Sequence, residues 1–263
     1  MSAVFESTIV ESYPGAQSVS RAIALLKVFS DAQPEWTLGE LAQHVSLNKA
    51  TVHRLLAALE SEGLIVRSAR TGGYRLGPEL IVLGGCAMRS NDVRTVGRPV
   101  LEVLAAETGE TTTLEVLVGH QVVILDEVSS RYLLGMSQDV GARLPFHATA
   151  TGKLLLAFQD QATQSRLLGA PLPRLTPNTI TLPTALVEQM RQIRIRGVAI
   201  TSGELEAGFV AVAAPVYDSA GCVSAAVSVG GPELRLSGAE LDRTVELVSQ
   251  TGQAISRRMG YRG

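Results

Sequence analysis

Apolar residues recur at three- and four-residue spacing from Ser18 onward. Val19, Ala22, Ile23, Leu26 and Phe29 form one stripe, which predicts a helix closed by Asp31-Ala-Gln-Pro34. Before it, residues 1–17 show no period, carry Pro14-Gly15 and are expected to be a mobile tail. A second helix is predicted from Thr37, with Leu38, Leu41, Ala42 and Val45 facing inward. Thr37 and Glu40 have the spacing of a capping box, each side chain satisfying a backbone donor at the helix start. Ser46-Leu47-Asn48 interrupts, and a third helix follows with Val52, Leu55, Leu56 and Leu59 inward, ending at Gly63. Leu64 to Arg67 and Tyr74 to Leu76 flank Gly72-Gly73 and read as a β-hairpin. Pro78 suits the first turn of a further helix reaching about Ser90, and another is expected from Val93 to Glu107.

From Thr111 the period changes to two, or to short apolar runs. Strands are predicted at Thr113 to Val118, Val122 to Val128, Val198 to Thr201, Phe209 to Tyr217 and Val223 to Val229. The last two should pair antiparallel across Asp218-Ser-Ala-Gly221. Helical patterns intervene at about 149–158, 160–168 and 184–196, and a last one runs from Leu241 to Arg258 with Ser237 as its cap. The Pro-rich stretch 171–183 reads as a long surface loop. The expected class is α+β, divided into a tail (1–17), a three-helix unit with a hairpin (18–77), a connecting helix (78–91) and a mixed α/β domain (92–263).

Composition narrows the function classes. With 263 residues, 46% of them hydrophobic, the chain can build a core, so disorder as the overall state is excluded. No run approaches about 18 apolar residues, so no membrane span is expected. The start carries Glu6 and Glu11 and has no basic segment leading into an apolar run, so no signal peptide is expected and the cytoplasm is the default compartment. Cys86 and Cys222 cannot build a disulfide framework and are expected to be small buried hydrophobes. The net charge of −2 gives no chain-wide attraction for nucleic acid, so any such function needs a local patch.

The hairpin and third helix supply that patch. Lys49, Arg54, Arg67, Arg70 and Arg75 stand against Glu60 and Glu62 over residues 48–75. Once the core stripe is removed, Asn48, Lys49, Thr51, His53 and Arg54 face outward near the start of the third helix. Their hydrogen-bonding groups and lengths suit base edges and phosphates. Arg67, Arg70, Thr71 and Arg75 add contacts from the hairpin, and Thr37 stands at the start of the second helix. Three short helices and a hairpin follow the winged helix-turn-helix plan. A small helical subdomain made soluble by its charges gives the same pattern, and His53 could equally be a spacer packed on the hairpin.

In the second domain, Thr149, Thr151 and Gly152 stand at a predicted helix start, where hydroxyls and free N–H groups favour an anion. Thr149 as an ordinary cap explains the same residues. Ser228 and Gly230 share one strand face, and Thr201 ends another strand. Lys153 follows Gly152, but the phosphate-loop pattern fails because His147 stands where glycine is required and Leu154 follows the lysine. His44, His53, His120 and His147 show no pairing with an acid or metal partner. Phe146-His147 at a turn suits a structural hydrogen bond better than zinc. No catalytic constellation, metal site or cofactor is predicted.

Several separated segments resemble the IclR family of bacterial transcriptional regulators: Ser18-Val-Ser-Arg-Ala-Ile-Ala-Leu-Leu, Thr37-Leu-Gly-Glu-Leu-Ala, Asn48 through Leu59, Gly73-Tyr-Arg-Leu-Gly77, Leu144 through Lys153, Gly197 through Asp218 and Ala225 through Pro232. The resemblance implies a DNA-binding winged helix, a linker helix and a GAF-like effector-binding domain, assembling as homodimers or homotetramers on double-stranded operator DNA. It also implies an effector pocket at Ala150, Thr151, Thr201, Ala211, Ser228 and Gly230, with Glu204 as the family's signature acid. Thr201 departs from the Asp or Ser the family prefers, and Ala211 and Gly230 are less polar than in members that bind small polar acids. The departures point to a less polar or bulkier effector, such as an aromatic acid or amide, with Leu133, Met136 and Leu144 as a candidate apolar wall. The expectation is a one-component, ligand-responsive regulator. The other readings are a small-molecule-binding enzyme with a helical appendage and a protein–protein adaptor.

Overall fold

The computed structural model describes residues 16–90, 92–132 and 139–263. The expected tail lies outside them except for its last two residues, and so do Leu133 and Met136. The chain divides into two compact units, and the division falls after Ala87.

In the first unit, α1 (Gln17–Leu26), α2 (Leu38–His44) and α3 (Lys49–Ser61) close over Leu25, Leu41, Val52, Leu56 and Ile65, each of which is buried. The capping box is present, with the Glu40 carboxylate accepting from the Thr37 amide at 2.8 Å. Two strands, β1 (Ile65–Arg67) and β2 (Tyr74–Leu76), pair antiparallel in the expected hairpin. Two details differ from expectation. The first helix stops at Leu26 instead of running through Phe29, and the chain turns on itself at Ser30 and Gln33 ahead of Pro34. Trp36 then adds a bridge to Tyr74, its amide donating to the Tyr74 carbonyl at 3.0 Å. A single-residue bridge leaves no period in the sequence.

The division between units falls inside α4 (Glu79–Arg89), a helix of largely apolar sequence with no buried residue. Ile81, Val82 and Leu83 are all exposed.

The second unit is built on one antiparallel sheet. Its strands are β3 (Thr111–Val118), β4 (Gln121–Val128), β5 (Arg143–Pro145), β6 (Ala199–Ser202), β7 (Phe209–Tyr217) and β8 (Val223–Pro232), in the order β5-β4-β3-β8-β7-β6. α5 (Asp92–Thr108) and α9 (Gly238–Arg258) cover one face, packing on Val210, Val212, Ala214, Val227 and Val229. The other face carries α6 (Ala150–Ala157), α7 (Gln161–Leu168) and α8 (Pro183–Arg196), packed over Ala213 and Ala226. Alternation along β7 and β8 thus sends odd and even positions to two separate cores. Ser237 occupies the N-cap of α9, but its side chain makes no capping hydrogen bond.

The cysteines need a correction, because both are exposed. Cys86 lies on α4, which has no buried face, and Cys222 lies in the β7–β8 turn, where its amide donates to the Asp218 carboxylate at 2.9 Å.

Candidate functional site

On the first unit the expected contact residues gather at the start of α3 and on the hairpin. Asn48, Lys49, His53, Arg54, Arg67, Arg70, Thr71, Arg75 and Thr37 are exposed, and Thr51 is half-buried. They differ in how free they are. The Asn48 carbonyl oxygen caps α3 by accepting from the Thr51 amide at 2.8 Å, and the Thr37 hydroxyl is held by Glu40. Both therefore serve helix starts, Thr37 by spending its hydroxyl proton on Glu40 and Asn48 by spending only its carbonyl oxygen, so that the Asn48 side-chain NH2 stays a donor. On the hairpin, Arg75 pairs with Glu35 at 3.1 Å, Thr71 donates to the same carboxylate, and Arg67 donates to the Gly72 carbonyl at 3.2 Å. Lys49, His53, Arg54 and Arg70 make no such bonds among the described residues and carry the readily available donors.

The second unit holds a cavity lined by all six residues expected of an effector pocket: Ala150, Thr151, Thr201, Ala211, Ser228 and Gly230. Strand register explains why they meet. Thr201 faces Ala211, Ala211 faces Gly230, and Gly230 faces Thr111, forming one row across four strands. The next row sets Ser228 between Ala213 and Thr113. The start of α6 closes the top, where the Thr149 hydroxyl accepts from the Gly152 amide at 3.1 Å. This capping leaves the amides of Ala150 and Thr151 without an intrahelical partner. The free space is about 550 Å³, counting the open mouth.

The expected apolar character has a source the sequence did not reveal. A Cβ placed on Gly230 would lie 2.6 Å from the Phe209 ring, so that ring fills the space the missing side chain leaves. The glycine therefore does not widen the cavity but exchanges a polar side chain for an aromatic wall, continued by Leu205 and Leu144.

Thr111, Thr113 and Glu115, on one face of β3, were not anticipated. Glu115 is buried among hydroxyls. Its carboxyl accepts from Thr151 at 2.6 Å, from Ser228 at 3.3 Å and from Thr113. Burial pushes its pKa up, against the pull of these three donors, and the Glu127 carboxylate adds to the rise. The period of two along β3 was a usable signal, since Leu114 and Val116 alternate with Thr113 and Glu115. An acid raised in the folded state costs stability once the unfolded chain ionises first, that is, as pH climbs from the ordinary carboxylate range through the folded value. Glu115→Gln is therefore expected to raise Tm at pH 8 and to leave it unchanged near pH 4. Melting curves at the two pH values check this, and a lower Tm at pH 8 would refute it.

Lys153, two positions past Thr151, points away from the cavity. Its buried amine binds Glu204 at 2.6 Å and Gln189 at 2.7 Å. The backbone carbonyl of Glu204 accepts from Thr179 at 2.7 Å. The signature acid thus ties α6, α8 and the loop after β6 together and does not line the pocket. His147 makes a structural contact, with Nε2 2.9 Å from the Pro173 carbonyl oxygen, and burial lowers its pKa. Among the described residues no group of His, Cys, Asp and Glu could hold a metal, and no helix is long and apolar enough to cross a membrane.

Comparison with known proteins matches residues 18–69 to the IclR helix-turn-helix domain and residues 86–257 to the C-terminal domain of bacterial transcriptional regulators of the IclR type. The chain belongs to the IclR family. This IclR-family protein is 35% identical to the HTH-type transcriptional regulator XynR of Escherichia coli K12, over 94% of this chain and 99% of that one. It is 34% identical to BhcR of Paracoccus denitrificans, over 96% and 90%. Its fold superposes on an IclR regulator from Silicibacter sp. TM1040 with a TM-score of 0.87, at 30% identity and covering 93% and 97% of the two chains. A Microbacterium hydrocarbonoxydans homologue, solved in complex with 4-hydroxybenzoate, superposes with a TM-score of 0.78 at 28% identity, over 92% and 98%. The IclR-family protein is thus a DNA-binding transcriptional regulator with an N-terminal helix-turn-helix and a C-terminal effector domain. The alternative of an enzyme with a helical appendage finds no support, since these relatives are named as transcriptional regulators.

Proposed function

We propose that this regulator binds a near-palindromic operator as a homodimer or a dimer of dimers in the cytoplasm, and that an aromatic acid or amide seated in the C-terminal cavity changes that binding. The observation carrying the ligand class is the Phe209 ring over Gly230, which gives a pocket rich in hydroxyls one flat apolar wall. The 4-hydroxybenzoate complex of the Microbacterium homologue supports the same class. In a dimer, the two α3 helices lie in successive major grooves, with Arg54, Lys49 and the hairpin arginines on bases and phosphates. Self-association is supported by α4, whose Ile81, Val82 and Leu83 are 78%, 54% and 51% exposed and suit a second copy of the same helix. The ligand acts through its differential affinity for two subunit arrangements, and a nearly complete switch needs about 5 kcal/mol of it.

Gly230→Val tests the pocket. The new side chain drives Phe209 into the cavity, and overpacking of about 1–3 kcal/mol is expected to weaken 4-hydroxybenzoate binding about tenfold or more. Ligand-free DNA binding should stay at the wild-type level. Titration calorimetry and duplex anisotropy read the two quantities, and unchanged ligand affinity would place the effector elsewhere.

A further inference from the structure

The cavity's charge does not match a bare carboxylate ligand. Among the described residues lining it are two acids, Glu115 and Glu127, and no lysine, arginine or histidine. The polar groups nearest the α6 end are hydroxyls already turned toward Glu115, with Thr151 donating to it at 2.6 Å and Thr113 and Ser228 sharing its other oxygen. While Glu115 is ionised, those hydroxyls offer an incoming ligand only their lone pairs, beside a negative charge. A carboxylate seated on the free amides of Ala150 and Thr151 would meet those lone pairs and that charge at close range.

One proton reverses the arrangement. A neutral Glu115 donates its O–H to a neighbouring hydroxyl, and Ser228 and Thr113 are 2.7 Å apart and can pass the polarity along. Thr151 is then released to turn its own O–H toward the ligand. Among the described residues lining the cavity there is no competing cation. β8 presents Ser228, α6 presents Thr151, β4 presents Glu127, and the α6 lysine is committed to Glu204 and Gln189.

We propose that Glu115 is the specificity-determining residue of this pocket: a carboxylate ligand enters together with one proton taken from solvent and held on Glu115, whereas an amide of the same shape enters without one. The inference rests on the aromatic acid or amide reading above. It makes Glu115, on β3, the group that distinguishes acid from amide. The burial that raises the Glu115 pKa acts in the same direction, lowering the cost of the proton.

Calorimetric titration of the full chain with benzoate and with benzamide, between pH 6 and pH 8 in two buffers of different ionisation enthalpy, tests this. Benzoate affinity is expected to fall about tenfold per pH unit where Glu115 is ionised, with about one proton taken up per site, and benzamide affinity to stay flat. Glu115→Gln should abolish the slope and bind benzoate at pH 8 more tightly than the wild type does. Glu127→Gln should keep the slope. Benzoate binding that is flat with pH and takes up no proton in the wild type would overturn the proposal, as would a slope that survives in Glu115→Gln and vanishes in Glu127→Gln. Failure of both probes to bind at any pH would overturn the aromatic reading of the pocket, and the proposal with it.

Discussion

Lys153→Met is expected to destabilise the effector domain by about 3–5 kcal/mol, lowering Tm by roughly 10 °C, because it leaves the Glu204 carboxylate buried beside an apolar side chain. The pair is buried on both sides, and its partners come from α6, from α8 through Gln189 and from the loop after β6. Removing both charges together, as Lys153→Met with Glu204→Leu, should recover most of the loss, since the cost lies in the orphaned charge and not in the absent attraction. Thermal or urea melts of the two single variants and the double variant form the cycle. If the double variant loses as much as the two single variants added together, the pair is not coupled as described. The singles should also weaken ligand binding, because α6 carries Ala150 and Thr151 at the cavity's edge.

The second large effect concerns DNA. Arg54 is exposed on α3 with no partner among the described residues, and Arg67 is exposed on the hairpin, donating to the Gly72 carbonyl and resting over Tyr74. Replacing both with alanine is expected to cut operator affinity by about ten- to a hundredfold at moderate salt. It should also flatten the dependence of log K on log salt by about one per lost phosphate contact. Arg191→Ala, which removes an exposed ion pair with Glu188 on α8, serves as the control and should change neither quantity. An unchanged salt slope in the double variant would remove these two residues from the interface and favour a protein–protein role for the winged helix.

The helices and strands were legible wherever period and punctuation agreed. Thr37 with Glu40 marked α2, Gly72-Gly73 marked the hairpin, and Asp218 to Gly221 marked the β7–β8 turn. β5 was not, because three residues ending in Pro145 are too short to show alternation. The cavity was legible only through its similarity to a family, since no spacing in the sequence says that Thr201 and Thr111 end the same row. That row exists only once β6, β7, β8 and β3 are in register. Glu115 went unnoticed for a related reason. A glutamate in a strand reads as facing water until α6 is laid over that face. Asn48 gains a role the sequence reading did not give it: its carbonyl oxygen caps α3 by accepting from the Thr51 amide, while its side-chain NH2 is left over.

The most direct measurement is the affinity of the purified full chain for a labelled duplex taken from beside its own gene, read by anisotropy with and without an aromatic acid or its amide. The account predicts tight binding that weakens steeply with salt and shifts at least about tenfold when the ligand is added. A chain that retains no such duplex even in dilute buffer, with or without ligand, would contradict it.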